Sequence, residues 1–179
     1  MARARDAISE ELADWMLRQH VFFVASAPLS GQGHVNCSPK GLETFRVLGP
    51  RTVAYLDLTG SGIETVSHLR ENGRIVLMFC AFDGPPKVVR LHGHATVLAP
   101  GEAAFNDLRS RFPDLPGIRS IIHINVTRIS DSCGFGVPQF QFVGERDQLP
   151  KWCATKGEPQ LADYRKKHNS SNVDGLPGI

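Results

Sequence analysis

Cysteine is scarce and scattered in this chain: four residues in 179, at Cys37, Cys80, Cys133 and Cys153, with no C-x-x-C pair and no histidines at zinc spacing. That excludes a disulfide framework and a structural zinc motif, and it points to reduced thiols in a cytoplasmic protein. An excess of charge of either sign is also missing. Lys and Arg number 20 against 18 Asp and Glu, for a formal net charge of +2, and the longest basic run is Arg165-Lys166-Lys167. Neither nucleic acid nor an anionic membrane is therefore expected as a partner. Apolar runs stay well short of a membrane span, and Arg3 and Arg5 precede an amphipathic segment instead of a continuous apolar one. No transmembrane helix and no secretory signal are expected. There is no G-x-x-x-x-G-K-[ST] phosphate loop and no internal repeat, and spacing assigns no serine–histidine–acid or paired-carboxylate unit.

What is present is ordinary globular composition, 41% hydrophobic and 21% charged, enough for one domain with a sizeable core. The chain is organised around Thr52 to Phe82. Thr52 to Leu58 reads as a half-buried strand, and Thr59-Gly60-Ser61-Gly62 breaks it. A short helix should follow, with Ser61 as N-cap and Glu64 completing a capping box; Ile63, Val66 and Leu69 form its apolar stripe until Asn72-Gly73. Arg74 to Phe82 is an apolar run of strand length. A turn of glycines and hydroxyls at a helix N-terminus offers N–H groups to an anion such as a phosphate, and a plain capping box is the alternative that the turn alone leaves open. The run from Gly60 to Thr65 imitates a dinucleotide fingerprint, with Asp83 downstream, but Thr65 stands where the third glycine belongs. The helix is also barely long enough for a parallel crossover, so its flanking strands should be antiparallel or non-adjacent.

Upstream, Asp6 to His20 places Ile8, Leu12, Trp15 and Met16 on one helical face. Val21 to Ala25 and His34 to Ser38 read as a hairpin, which Pro39-Lys40-Gly41 should break, leaving Lys40 near a strand end as a surface lysine or an anion ligand. Downstream, Asp83-Gly84-Pro85-Pro86 is a turn that pairs Arg74–Phe82 with Lys87–Leu98. His92 and His94 share a face of that second strand, a pair that lacks a third ligand, so no metal is expected. A short helix is expected near Pro100 to Phe112, and Arg119 to Ile129 alternates as an antiparallel strand. Beyond it, Gln148–Cys153 and Leu161–His168 look helical, and Asn169 to Ile179 alone reads as a disordered end. Leu176-Pro177, with Trp152 and Tyr164, suggests instead that this tail docks. The sum is a mainly antiparallel β fold of about six strands with covering helices.

The order VFFVASA, HVNCSPKG, VAYLDLTGSG, a short helix, ENGRIVLMF and VVRLHGHATV resembles the pyridoxamine 5′-phosphate oxidase-like, FMN-binding split-barrel family over roughly residues 8 to 130. The motifs SCGFGVPQF, GER and NVDGLPG extend the likeness toward the C-terminus. The resemblance implies a six-stranded antiparallel split β-barrel over residues 1–145, with 146–179 as an extension of the same domain. It also implies a homodimer, with apolar residues such as Phe79, Phe82 and Trp152 available for the interface, and FMN held between subunits for hydride transfer on a small-molecule substrate. Split barrels that carry deazaflavin or haem, or that serve as non-catalytic carriers, are the alternatives. By the same resemblance, Lys40 lies beside the flavin, Thr59 helps bind its phosphate, and Gly60, Ser61 and Gly62 form the turn into the phosphate helix. The oxidases carry basic residues at the start of that helix. Here Glu64 opposes a phosphate and Thr65 offers one neutral hydrogen bond, which implies modest affinity. No acid, base or nucleophile is assigned.

Overall fold

In the computed structural model, which describes residues 3–179, the elements are β1 (Arg3–Arg5), α1 (Glu10–Leu17), β2 (Phe22–Ser26), β3 (Asn36–Lys40), β4 (Phe45–Gly49) and β5 (Thr52–Leu58). They continue with α2 (Glu64–Asn72), β6 (Arg74–Cys80), β7 (Val88–Leu98), α3 (Ala103–Arg109), β8 (Ile118–Ser132) and α4 (Gln148–His168). The strands form one antiparallel sheet of eight, in the order β3-β2-β6-β7-β8-β5-β4, with β1 paired to β8. All six strands expected from the sequence are present, and β1 and β4 are additional. β5 and β6 flank α2 without being neighbours, which rules out a dinucleotide-type parallel crossover around it.

The sheet curls strongly although its end strands do not pair. Phe22 of β2 and Phe45 of β4, from opposite parts of the order, have ring centroids 5.6 Å apart, and both pack on Phe79 of β6. This interior, with Val24, Tyr55, Leu77, Leu91, Ile122 and Ile124, is the main core. α1 covers one opening through Leu12 and Met16, and Ser9 caps it by accepting from the Leu12 N–H at 3.2 Å. That cap starts the helix at Glu10, four residues later than the apolar stripe alone suggested.

β5 is not half-buried. Val53 to Asp57 are all buried, because Ala54 and Leu56 on the outer face meet Phe105 of α3, Phe112 and Ile121 in a second core. Pro39 does not end the β2–β3 ladder either: it pairs with Phe23 inside β3. β3 is an edge strand, so a residue without an N–H is tolerated there. Phe79 is fully buried in its own chain and is therefore unavailable to a partner.

The C-terminal segment is ordered by contacts that its composition hides. The two expected helices run together as α4, broken by a non-helical Gly157 at φ 67°. After it the chain turns back, with a bridge between Ser171 and Pro177. Asn169 and Asn172 are buried, and Arg70 of α2 donates to the Gly178 carbonyl. Among the described residues no helix is long and apolar enough to cross a membrane.

Candidate functional site

Four of the residues singled out in the sequence, Thr59 to Gly62, form the link between β5 and α2, and Thr65 lies in the first turn of that helix. Their acceptors are held from behind. Arg119 Nη1 donates to the Gly62 carbonyl at 2.9 Å, and Asn169 Nδ2 donates to the carbonyls of Gly60 at 3.0 Å and Ser61 at 3.4 Å. Thr59 is fully buried; its hydroxyl donates to Gly117 O at 2.9 Å and accepts from Arg165 Nε at 2.9 Å.

The donors of the same link are treated differently. The N-cap position of α2 is Ile63, with φ −130° and ψ 8°, and no side chain caps the helix. The capping box expected between Ser61 and Glu64 is absent: Ser61 is exposed and Glu64 is the first helical residue. With Ile63 at the N-cap and Glu64 as the first helical residue, Ser61 lies two residues before the cap and Glu64 is not at the third helical position that the box requires. The first-turn N–H groups thus lack a side-chain partner and sit at the positive end of the helix dipole. Around Gly60 an added Cβ would find nothing within 4 Å, so the backbone is open to approach. The Glu64 carboxylate folds back over Gly62, where a Cβ would overlap it. Thr65 is buried, and its hydroxyl accepts from Asn36 Nδ2 at 2.9 Å, tying α2 to β3.

Lys40 ends β3, and its Nζ lies 3.7 Å from Asp57 Oδ1. Asp57 is the residue that sequence reasoning missed. It is fully buried and takes two bonds from Arg119 (Nε–Oδ2 2.7 Å, Nη2–Oδ1 3.2 Å) and one from Ser120 Oγ at 3.3 Å. Burial alone would raise its carboxyl, but Arg119, Lys40 and these hydrogen bonds outweigh it and hold it below the ordinary 3.8. Tyr55, two residues along the same strand, keeps an unpartnered buried hydroxyl; burial and then Asp57 push it well above the usual phenol range. The signal available in the sequence was an acid inside TVAYLDL, an otherwise uncharged strand. A cavity of about 640 Å³ is lined by Trp15, Phe22, Gly41, Glu43, Phe45 and Glu145 among others, but by none of Thr59 to Thr65. Gly41, the residue after Lys40, is part of its lining, but Lys40 itself is not.

These features define a curled antiparallel sheet with an uncapped helix N-terminus set against a buried ion-pair cluster. A family model described as pyridoxamine 5′-phosphate oxidase matches residues 8–133. The chain is 40% identical over 191 residues to the Aspergillus flavus pyridoxamine 5′-phosphate oxidase family protein ustO, covering 97% of this chain and 76% of that protein. Among solved structures, HupZ from Group A Streptococcus is similar with a TM-score of 0.52 at 24% identity, covering 68% of this chain and 91% of that one. An FAD-binding protein from Mesorhizobium loti is similar with a TM-score of 0.50 at 14% identity, over 73% of this chain and 96% of that one. The chain belongs to the pyridoxamine 5′-phosphate oxidase family.

Proposed function

We propose that this protein is an FMN-binding flavoprotein, working as a cytoplasmic homodimer and acting as an oxidoreductase on a small molecule. The observation that carries the reading is the turn at Thr59–Gly62 in a chain of this family. The carbonyls of Gly60, Ser61 and Gly62 are tied down, while the N–H groups opening α2 have no side-chain cap. That is the donor set a phosphate requires, and the open space beside Gly60 lets one approach. The Mesorhizobium loti protein of similar fold is described as FAD-binding, which supports a flavin as the group held.

In this reading the phosphate sits against Gly60, Ser61, Gly62 and the first turn of α2 with Thr65, and Lys40 supplies positive charge from β3. Thr59 contributes by position, since its hydroxyl proton is committed to Gly117. Glu64 weakens the site electrostatically. A bound flavin supplies hydride transfer; the chain supplies orientation and hydrogen bonds. The cavity beside Gly41 offers room for the small-molecule substrate. We read β2, β3, β5, β6, β7 and β8 as the six-stranded split barrel of residues 1–145, with residues 146–179 as its extension.

A second reading, a carrier of flavin, deazaflavin or haem without redox work, is favoured by one observation: Lys40 already faces a carboxylate. The absorption spectrum of the purified protein and a fluorescence titration with FMN test both. Flavin bands, or saturable quenching of added FMN, are expected. A colourless protein that quenches no flavin overturns the first reading, and a Soret band would install haem in its place.

A further inference from the structure

We infer that Asn169, together with Arg119, is a positioning residue for the cofactor phosphate, so that the folded-back segment 169–179 serves the binding site through its first residue. The inference rests on the flavin-phosphate reading above. Asn169 is fully buried, and every hydrogen-bonding group of this residue is engaged. Its Oδ1 accepts from Arg119 Nη1 at 2.8 Å, and its Nδ2 donates to the Gly60 and Ser61 carbonyls. Its N–H bonds Arg165 O at 2.6 Å, and its carbonyl accepts from Ile179 N at 2.8 Å.

Consecutive peptide units in a tight link can point their carbonyls or their N–H groups to a given side, but not both. Donors placed behind Gly60, Ser61 and Gly62 select the state in which the carbonyls face the protein. The opposite ends of those peptides are then left for an anion. Arg119 joins this arrangement to the other half of the candidate site, because the same guanidinium holds Asp57, which in turn faces Lys40. Arg165 of α4 holds the preceding residue by its side chain, donating to the Thr59 hydroxyl, and α4 leads directly into Asn169. One buried network therefore sets both the turn and the lysine, and its last member belongs to the tail.

Two consequences separate this role from general support of the fold. Removing the Asn169 amide should reduce the affinity gained from the phosphate, not the affinity for the flavin ring. By linkage, phosphate binding should tighten the tail.

The test compares FMN with riboflavin, which lacks the phosphate, by fluorescence titration of the full chain. Wild type should favour FMN, and Asn169→Ala should reduce that preference by about tenfold, the loss expected when a charge-assisted contact is misplaced, with riboflavin affinity unchanged. Val173→Ala, on the same segment but 70% exposed, should behave as wild type. Hydrogen exchange on the wild-type protein gives a readout free of any folding defect: FMN should slow exchange in 169–179 more than riboflavin does. If wild type binds FMN and riboflavin equally, the phosphate reading fails and takes this inference with it. If wild type favours FMN but Asn169→Ala keeps the full preference, or the two ligands protect the tail alike, the positioning role alone is overturned.

Discussion

Arg119 grips Asp57 with two nitrogens, Nε at 2.7 Å and Nη2 at 3.2 Å, and both residues are buried. The pair links the starting end of β8 to the finishing end of β5, beside the register shift between Asp57 and Leu58. It forms at the point where the chain leaves the sheet for the glycine-rich turn. Removing one partner strands the other in a place water does not reach.

Asp57→Asn should therefore destabilise the fold by about 3 kcal/mol, toward the low end for a broken buried pair because asparagine keeps one acceptor. The wild-type pair also has a pH signature. Asp57 has a folded-state pKa below its ordinary 3.8, so its contribution is present above that value and is lost as pH falls through the lower, folded one. Urea midpoints should fall steeply below about pH 4 in wild type and less steeply in Asp57→Asn. Parallel curves for the two proteins would place the acid sensitivity elsewhere.

His68 gives a second pH dependence, higher on the scale and local to the tail. It is fully buried in α2, with Nδ1 2.9 Å from Ser26 Oγ and Nε2 3.4 Å from Asn172 Nδ2. Burial lowers its pKa below 6.5 despite the opposing carboxylates of Asp174, Glu64 and Glu71. A depressed folded value means the stabilisation is complete above 6.5 and is lost as pH falls through the folded value. Protonation would oblige Nε2 to face the Asn172 amide donor. Exchange protection of residues 169–179, corrected for intrinsic rates, should drop between about pH 6.5 and 5, and His68→Gln should flatten that dependence. A His68 titration by NMR at or above 6.5 would contradict the assignment.

Much of this architecture was legible beforehand because periodicity and turn chemistry act locally. The β2–β3 and β6–β7 hairpins and the helix between Thr59-Gly60-Ser61-Gly62 and Gly73 follow from residues close in sequence. What escaped was non-local. Asp57 and Arg119 are 62 positions apart, and nothing near either one names the other. The β4 strand, FRVLG, is five residues long and has no alternation in its burial, so its existence depends on pairing with β5. Asn169 reads as a loop residue because its partners, at 60, 61 and 119, become neighbours only after the sheet curls. The capping box failed because the helix begins later than the local pattern implies: with Ile63 at the N-cap, Ser61 lies outside the helix and Glu64 opens it.

Gly93 shows a backbone requirement that is testable on its own. The β7–β8 register shifts between His92 and Gly93, and a Cβ at 93 would run into the Asn125 carbonyl and lie 3.0 Å from Ile124 Cγ2. Ile124 is fully buried and the Asn125 contact is to a backbone carbonyl of the central β7–β8 ladder, so neither can yield cheaply. Gly93→Ala should cost about 1–3 kcal/mol, the usual range for overpacking, measured by thermal or urea unfolding. A variant as stable as wild type would mean that the bulge moves instead.

Charge at the turn gives opposite expectations for two substitutions. Lys40→Ala should weaken FMN binding by about 1.5 kcal/mol, the low end for a charged hydrogen bond, because part of the ammonium's charge is already neutralised by Asp57 at 3.7 Å. Glu64→Gln removes a carboxylate that folds over Gly62 and should strengthen binding. Flavin fluorescence titrations read both. Weaker binding by Glu64→Gln together with unchanged binding by Lys40→Ala would put the phosphate somewhere else.

The segment from Cys133 to Asp147 carries the argument for a dimer. It has no helix or strand, and it exposes Phe135 (81%), Phe140 (61%) and Val143 (95%), with Phe142 half exposed and stacked on His20 at 3.5 Å. Its contacts with its own chain include Phe140 N, which donates to Phe82 O at 2.8 Å, and the Phe140 and Phe82 rings, which lie 5.4 Å apart. An extended run that leaves this much aromatic surface in water is unfavourable for a lone subunit and suits a two-fold mate, in which the same arm is buried twice. The buried Phe79 is excluded from such an interface, and Trp152 packs edge-on against Tyr164 of its own helix, so the arm is the better source of contact. Light scattering at micromolar concentration should give a dimer mass. Serine at 135, 140 and 143 together should shift it toward monomer while leaving the circular dichroism of the sheet intact. A monomeric wild-type protein would refute the dimer, and a triple variant that stays dimeric would move the interface to another face of the sheet.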